Sequence, residues 1–299
     1  MQISASSMSA PPQVTVPGNL PLRVAVRGSA REGDVSGFIV LSRGNDRRRI
    51  PFWFRVVRPQ LTRVPHVTLA RPGIYRGSTA RGVSRVTSYR YPEVVGSGFP
   101  VRLPGREIAY RVRVRRPANF GVAIVAQDAR VRIEPRIVRA GNENRLAGLT
   151  ALPLDLNPYR SSYGRHRLIA GVVLPAQGLY DIVFDTPRNG RPGAFSFRYW
   201  VGDTTPPSAR VVGVRGGFLE LAVSDRGSGV DPLSLRATID GASTPVTYSA
   251  GRARISVAPV ARGQHTLTFS VADYQETKNM ENVPGITPNT RTLRASFSR

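Results

Sequence analysis

Tyr110-Arg-Val-Arg-Val-Arg115 alternates apolar and basic residues without a break. A period of two lays Tyr110, Val112 and Val114 on one face of an extended chain and Arg111, Arg113 and Arg115 on the other, whereas a helix would scatter both sets around its axis. The same period recurs outward from this stretch. Towards the N-terminus it appears in Val14–Val16, Leu22–Val26, Gly37–Leu41 and Ile50–Val57. Towards the C-terminus it runs through Val122–Val125, Arg130–Ile133, Tyr180–Phe184 and Phe195–Trp200, then Ala209–Val212, Phe218–Val223, Leu235–Ile239, Arg254–Val257, His265–Val271 and Thr292–Phe297. No amphipathic helix of about ten residues interrupts the series. Turn-forming residues at Gly44-Asn-Asp46, Asp240-Gly241 and Arg262-Gly263 separate the strands. Many short strands with regular turns predict an all-β chain of tandem β-sandwiches.

Composition narrows the possible chemistry. The 299 residues contain no Cys, which excludes disulfides, thiolate zinc sites, iron–sulfur clusters and thiol catalysis. No apolar run reaches the roughly 18 residues of a membrane span, and Met1–Pro12 carry no signal-peptide pattern. The net charge is +24, and residues 60–202 hold most of it, with 23 Arg against 8 acidic residues. A field of that sign attracts polyanions. Lys278 is nonetheless the single lysine among 43 basic residues, so arginine replaces lysine on every exposed surface and not only at a phosphate site. No helix-turn-helix, aromatic RNP run or Cys/His finger supports specific nucleic-acid binding.

Two boundaries are legible, at Arg58-Pro59 and at Asp203-Thr-Thr-Pro-Pro207, where a double proline cannot continue a sheet. They divide the chain into residues 1–59, 60–202 and 203–299. The last block matches one Ig-like sandwich of about 100 residues. The middle block is an Arg-rich sandwich with a long irregular passage from Ala140 to Arg167, and Arg58-Pro59 opens a further irregular stretch. The first block shows about four strands where a sandwich needs about seven, so it is expected to be incomplete. Its remaining strands are expected before Met1, which makes this chain the tail of a longer protein.

Three strings carry a family resemblance. Ser36-Gly-Phe-Ile-Val-Leu41 with Arg49-Ile-Pro-Phe-Trp-Phe-Arg-Val56 resembles the end of the fibronectin-III-like domain that follows the catalytic domain in large secreted subtilisin-like serine peptidases. Asn142–Leu146, Ala151–Tyr159, Gly178–Asp185 and Phe197–Trp200 make up the second string. Asp273–Val283 with Pro288–Arg291 is the third. Both are similar to the C-terminal region of such bacterial peptidases, and the likeness runs from Gln13 onward. It implies a non-catalytic accessory region that stabilises or positions the protease domain of the parent protein, outside the cell or at its surface. It also implies contact with a substrate protein or an anionic cell-envelope polymer. Ser7-Met-Ser-Ala-Pro11 matches the family's nucleophile motif only from its Ser onward. Ala5 and Ser6 replace the Gly and Thr, no helix pattern follows, and no Asp or His motif precedes it. Without a base, Ser7 is expected to be inert and the chain to be no enzyme.

The residues offer two candidate sites. Asp225-Arg-Gly-Ser-Gly-Val-Asp231 is a Gly-rich turn with a carboxylate at each end. With Asp203 at the linker and Asp273 at a later strand end, it gathers hard oxygen ligands of the kind Ca²⁺ takes. The same aspartates also suit the capping of turns. The second candidate is the Arg111, Arg113 and Arg115 face, a polyanion-binding strand if the chain is instead an independent extracellular adhesion protein. His66, His166 and His265 share no metal-ligand spacing. Asn142–Arg145 and Asn157–Tyr159 mix amides, Arg and Tyr in a loop that can bind sugar or satisfy its own backbone.

Overall fold

The structure is a computed structural model; it describes residues 2–3, 7–90, 101–102, 105–149, 168–187, 189–275 and 289–299. The fold is all-β, built of mostly antiparallel sheets, with a parallel pair where His66–Thr68 joins Ala109–Arg111. The chain divides into two compact units, Met1–Pro59 and Gln60–Arg299.

The first unit is organised by one long hairpin. Strands β1 (Gln2–Ile3), β2 (Met8–Ser9) and β3 (Arg23–Val24) precede β4 (Gly33–Arg43) and β5 (Asp46–Val56). β4 and β5 pair from Arg43↔Asp46 at the turn to Gly33↔Val56 at the open end, and β1 adds to β4. Gly44 makes the turn with φ +56°, in the left-handed region that a side chain disfavours. The register puts Val35, Ile39, Leu41, Phe52 and Phe54 on one face and Phe38, Val40 and Trp53 on the other. Ile39 is buried, whereas Phe38 stays 47% and Trp53 51% exposed. Arg49 lies 6.0 Å over the Phe38 ring and Arg55 lies 5.8 Å over Trp53. Arg55 also forks onto Asp34 at 2.6 and 2.9 Å. Val14–Val16 is not a strand: Val16 is strongly exposed, and its alternation has no core to face.

The second unit begins with a two-sheet sandwich. Its strands are β6 (His66–Thr68), β7 (Gly73–Ser78), the small ribbon β8 (Ser88–Tyr89) and β9 (Val101–Arg102), then β10 (Glu107–Val114), β11 (Asn119–Gln127), β12 (Glu134–Arg139), β13 (Leu146–Leu149), β14 (Ile169–Val173), β15 (Gly178–Asp185) and β16 (Ala194–Val201). One sheet runs β13-β12-β15-β10-β6 and the other β14-β11-β16-β7. Tyr110, Val112 and Val114 face inward, as their period requires, to meet Phe120, Val122, Ile182, Phe184, Phe195 and Phe197. The aromatic centre is dense: Phe184 lies 4.5 Å from Phe197 and 4.7 Å from Phe195, and Tyr110 lies 5.0 Å from Phe197. β6 and β7 fall in the stretch expected to be irregular. Gly73 and Gly77 flank Tyr75 and break its apolar period, and a Cβ on Gly77 would sit 2.7 Å from the Phe195 ring. Arg130–Ile133 alternates yet forms only the single bridge Val131↔Arg191; its two apolar side chains are buried without a ladder.

A second sandwich follows. β17 (Ser208–Arg215), β18 (Phe218–Ser224), β21 (Val246–Ser249) and β22 (Arg252–Ser256) form one sheet. β19 (Arg236–Ile239), β20 (Ala242–Thr244), β23 (Gln264–Ala272) and β24 (Thr290–Ser298) form the other. Leu219, Leu221, Val223, Ile239, Ile255, Leu267, Phe269 and Val271 fill the space between them. Asp240-Gly241 turns β19 into β20 with both residues at positive φ, +50° and +85°, the geometry of a two-residue hairpin.

Asp240 also meets His265 on β23. His265 donates from Nδ1 to Asp240 Oδ2 at 2.6 Å and from Nε2 to the Ala261 carbonyl at 2.9 Å. Both partners are acceptors, which favours the imidazolium, and the His265 pKa rises above the ordinary 6.5, first through the Asp240 hydrogen bond. A raised pKa contributes stability at acid pH that is lost as pH climbs through the folded-state value.

Two measurements follow from this packing. Phe197→Ala should cost about 3–5 kcal/mol in urea denaturation, as a buried aromatic-to-Ala cavity does; a loss under about 1 kcal/mol would mean that the core relaxes around it. NMR titration of His265 should give a midpoint above 6.5, returning toward it in Asp240→Asn.

Candidate functional site

The polypeptide passes from the first sandwich to the second at the end of β16. Gly202, at φ +68°, turns the chain out of the strand, and its N–H donates to the Asn119 carbonyl at 2.7 Å. Asp203 follows, and Asn119 grips its main chain from both sides. Asn119 Nδ2 donates to the Asp203 carbonyl at 2.7 Å, and Asp203 N–H donates to Asn119 Oδ1 at 3.1 Å. Asn289, just before β24, adds a donation from Nδ2 to the Asp203 carbonyl at 3.2 Å. All three residues are buried. The Asp203–Pro207 stretch is therefore anchored at its first residue.

The second sandwich supplies the rest. The loop after β18 wraps the Asp203 carboxylate: Ser228 N–H donates to Oδ2 at 2.6 Å. Gly227 packs against that carboxylate so closely that a Cβ there would overlap it. The same loop closes on itself, with Gly229 N–H donating to Asp225 Oδ2 at 2.7 Å, and Arg198 of β16 donates to the Gly227 carbonyl at 3.1 Å. At the end of β23, Asp273 bridges to Val230, and its Oδ2 accepts from Asn289 Nδ2 at 2.8 Å.

Folding thus brings Asp203, Asp225 and Asp273 together, with one carboxylate oxygen of each within 4.8 Å of the others. Asp203 and Asp273 are buried and Asp225 is half-buried. Burial pushes the Asp225 carboxyl above its ordinary value, and the Asp203 charge pushes it the same way; the Gly229 and Gly227 N–H groups and Arg198 oppose them. Clustered negative charge in a desolvated site favours neutralisation by protons or by a cation. Hard carboxylate oxygens in a flexible arrangement suit Ca²⁺, which takes 6–8 oxygens at about 2.3–2.6 Å.

Asp231 lies outside this group. Its N–H donates to the Ala272 carbonyl, and its Oδ1 accepts from Leu233 N–H at 2.9 Å, which closes the turn at 231–234. Of the arginine face, Arg111 forks onto buried Asp181, Nε to Oδ1 at 2.8 Å and Nη2 to Oδ2 at 3.0 Å. Arg113 is exposed on β10, and Arg115 is exposed just past its end. His66 shares Asp181 Oδ2 at 2.9 Å. Ser7 accepts from Ala25 N–H through its carbonyl and precedes β2 where the family motif opens a helix. Asn142 Oδ1 accepts from Asn144 N–H at 3.0 Å and so satisfies its own loop. His166, Asn157–Tyr159, and 276–283 and 288 of the third string lie outside the described residues. Among the described residues no helix is long and apolar enough to cross a membrane.

Sequence reasoning missed Asn119, Asn289 and both His–Asp pairs. Their partners lie 84, 86, 115 and 25 residues away, so no local pattern points to them. No protein-family model and no characterised protein sequence matches the chain.

Ca²⁺ at one hundred times its Kd should stabilise the chain by about 2.7 kcal/mol, visible as a raised Tm. Asp225→Asn should melt above the wild type without metal and lose the Ca²⁺ response. A wild-type Tm indifferent to Ca²⁺ would leave the three carboxylates as turn caps only.

Proposed function

We propose that this chain is the non-catalytic accessory region of a secreted subtilisin-like serine peptidase. Its work is positional: two β-sandwiches form a spacer of fixed geometry that stabilises or orients the protease domain. The observation that carries this reading is the junction between them. A double proline between domains suggests a stiff but swivelling link; here the link begins with a buried residue held by Asn119, Asn289 and Ser228 from both sandwiches. A hinge would leave such groups in water, since buried hydrogen bonds are costly to break and expose singly. The pairing of Gly37–Leu41 with residues 48–52 supports the resemblance of the first unit to a fibronectin-III-like end. Ca²⁺ held by Asp203, Asp225 and Asp273 would tighten the same junction, because the three carboxylates come from the linker and from two loops of the second sandwich.

The alternative, polyanion binding through the β10 arginines, rests on Arg113 and Arg115, because Arg111 is committed to Asp181.

Spin labels on exposed Val125 of β11 and exposed Ser243 of β20 in the full chain should report one narrow distance distribution. Asn119→Ala should broaden it, and a broad wild-type distribution would refute a rigid spacer. A serine-directed fluorophosphonate should leave Ser7 unlabelled; labelling would overturn the non-enzymatic reading. Heparin retention that persists in the Arg113→Glu/Arg115→Glu variant would remove β10 as an anion site.

A further inference from the structure

The outer face of the five-stranded sheet is unusual for its buried charge. Register places Glu107 of β10 opposite Asp185 of β15, and Asp185 opposite Glu134 of β12, so three carboxylates form one row across adjacent strands. The next row is Ala109, Val183 and Arg136. Glu107, Asp185 and Arg136 are fully buried.

What buries them is the segment at 79–90. It crosses the row and is fastened by the acids themselves. Val83 and Glu107 exchange main-chain hydrogen bonds at 3.1 and 2.6 Å. Glu107 Oε1 accepts from Arg85 N–H at 2.8 Å and Val86 N–H at 3.0 Å. Tyr89 donates its hydroxyl to Asp185 Oδ2 at 3.1 Å, and Arg136 lies 4.8 Å over the Tyr89 ring. At the far end Arg90 N–H donates to the Glu143 carbonyl at 3.0 Å. Beneath the segment, Val86 and Tyr89 pack with Ala109, Val138 and Val183 in a cluster that Leu61, Val64 and Leu146 share.

The charges do not balance. Around the Glu107–Asp185 pair stand Glu134 and Arg136 from β12, Arg85 and Tyr89 from the covering segment, and Glu143 from the loop before β13. Arg106 turns away to the Ala80 carbonyl. One buried guanidinium therefore serves three carboxylates, and it reaches Glu134 at 3.5 Å. Among the described residues, Glu107 Oε2 and Asp185 Oδ1 are buried with no hydrogen-bond donor. An ionised oxygen is poorly tolerated in such a place, whereas a protonated one is not.

We propose that residues 79–90 form a pH-responsive strap: Glu107, as a protonated acid, lets the strap close over the sheet, and loss of that proton loosens the strap and withdraws Val86 and Tyr89 from the apolar patch of Ala109, Val138 and Val183. Burial drives the Glu107 carboxyl up from 4.5 to about 7 against the two N–H donors that favour its charge, and burial raises Asp185 well above its ordinary value. A carboxyl raised on folding is stabilising at acid pH, and that stability is lost as pH rises through the raised value. The strap is thus tight below neutrality and loose above it.

Hydrogen exchange of the full chain, corrected for intrinsic rates, tests the strap. Protection of amides in 79–90 should fall about tenfold between about pH 6 and about pH 8, the change expected of one group titrating near 7. Glu107→Gln, which keeps the acceptor but not the titration, should hold its strap protection constant over the same range. A flat wild-type response, or a wild-type slope in Glu107→Gln, would overturn the proposal. Should the variant fail to fold, carboxyl ¹³C titration of the wild type decides: one Glu must titrate near neutrality, and none doing so would overturn it.

Discussion

Asn119 uses both ends of its amide on the main chain of Asp203, and the path of the polypeptide between the two sandwiches depends on that grip. The contact is buried, so neither partner can trade it for water at equal cost. Asn119 opens β11 and is positioned by the first sheet pair. Asn289 and Ser228 reach the same residue from the second sandwich. One linker residue is therefore common to both domains' hydrogen-bond networks. The prolines that follow stiffen a chain whose direction is already set.

The same residue gathers charge. With its backbone fixed, the Asp203 side chain can point only into the loop after β18, where Gly227 leaves room for it and Asp225 and Asp273 arrive from strand ends. A second concentration of buried carboxylates lies on the outer face of the five-stranded sheet. Here too the acids hold backbone: Glu107 binds the N–H groups of Arg85 and Val86, Glu143 those of Gln60 and Leu61, and Asp181 that of Gly141. In a chain of net charge +24 these buried acids serve irregular segments, whose N–H groups strands cannot satisfy. Many of the arginines are left to the solvated surface.

Much of the architecture was legible from period alone. Tyr110–Arg115, Tyr180–Phe184 and Phe195–Trp200 each show which face is buried, and Asp240-Gly241 announces its hairpin. β6 and β7 were not legible, because Gly73 and Gly77 interrupt the apolar alternation, the second to admit the Phe195 ring from β16. Arg130–Ile133 misled in the opposite sense, since alternation reports which side chains are buried and not whether a partner strand is present. At the candidate site Asp203, Asp225 and Asp273 could be gathered from their places at a linker and two strand ends. Asp231 closes the same Gly-rich string and so reads as one of them, but the bridge between Val230 and Asp273 turns it into the next loop.

The sequence by itself determined the class of fold, because side-chain parity along a strand is a local property that solvent reads directly. It also determined the candidate ligand types, through the lack of Cys and the scattering of His. Only tertiary structure decided that Arg111 belongs to Asp181, that Asn119 holds the linker and that Glu107, Asp185 and Glu134 share a row. Those facts depend on strand register and on contacts across many tens of residues. Such pairings are fixed by the packing of whole sheets, and no neighbouring residue in the chain carries a trace of them.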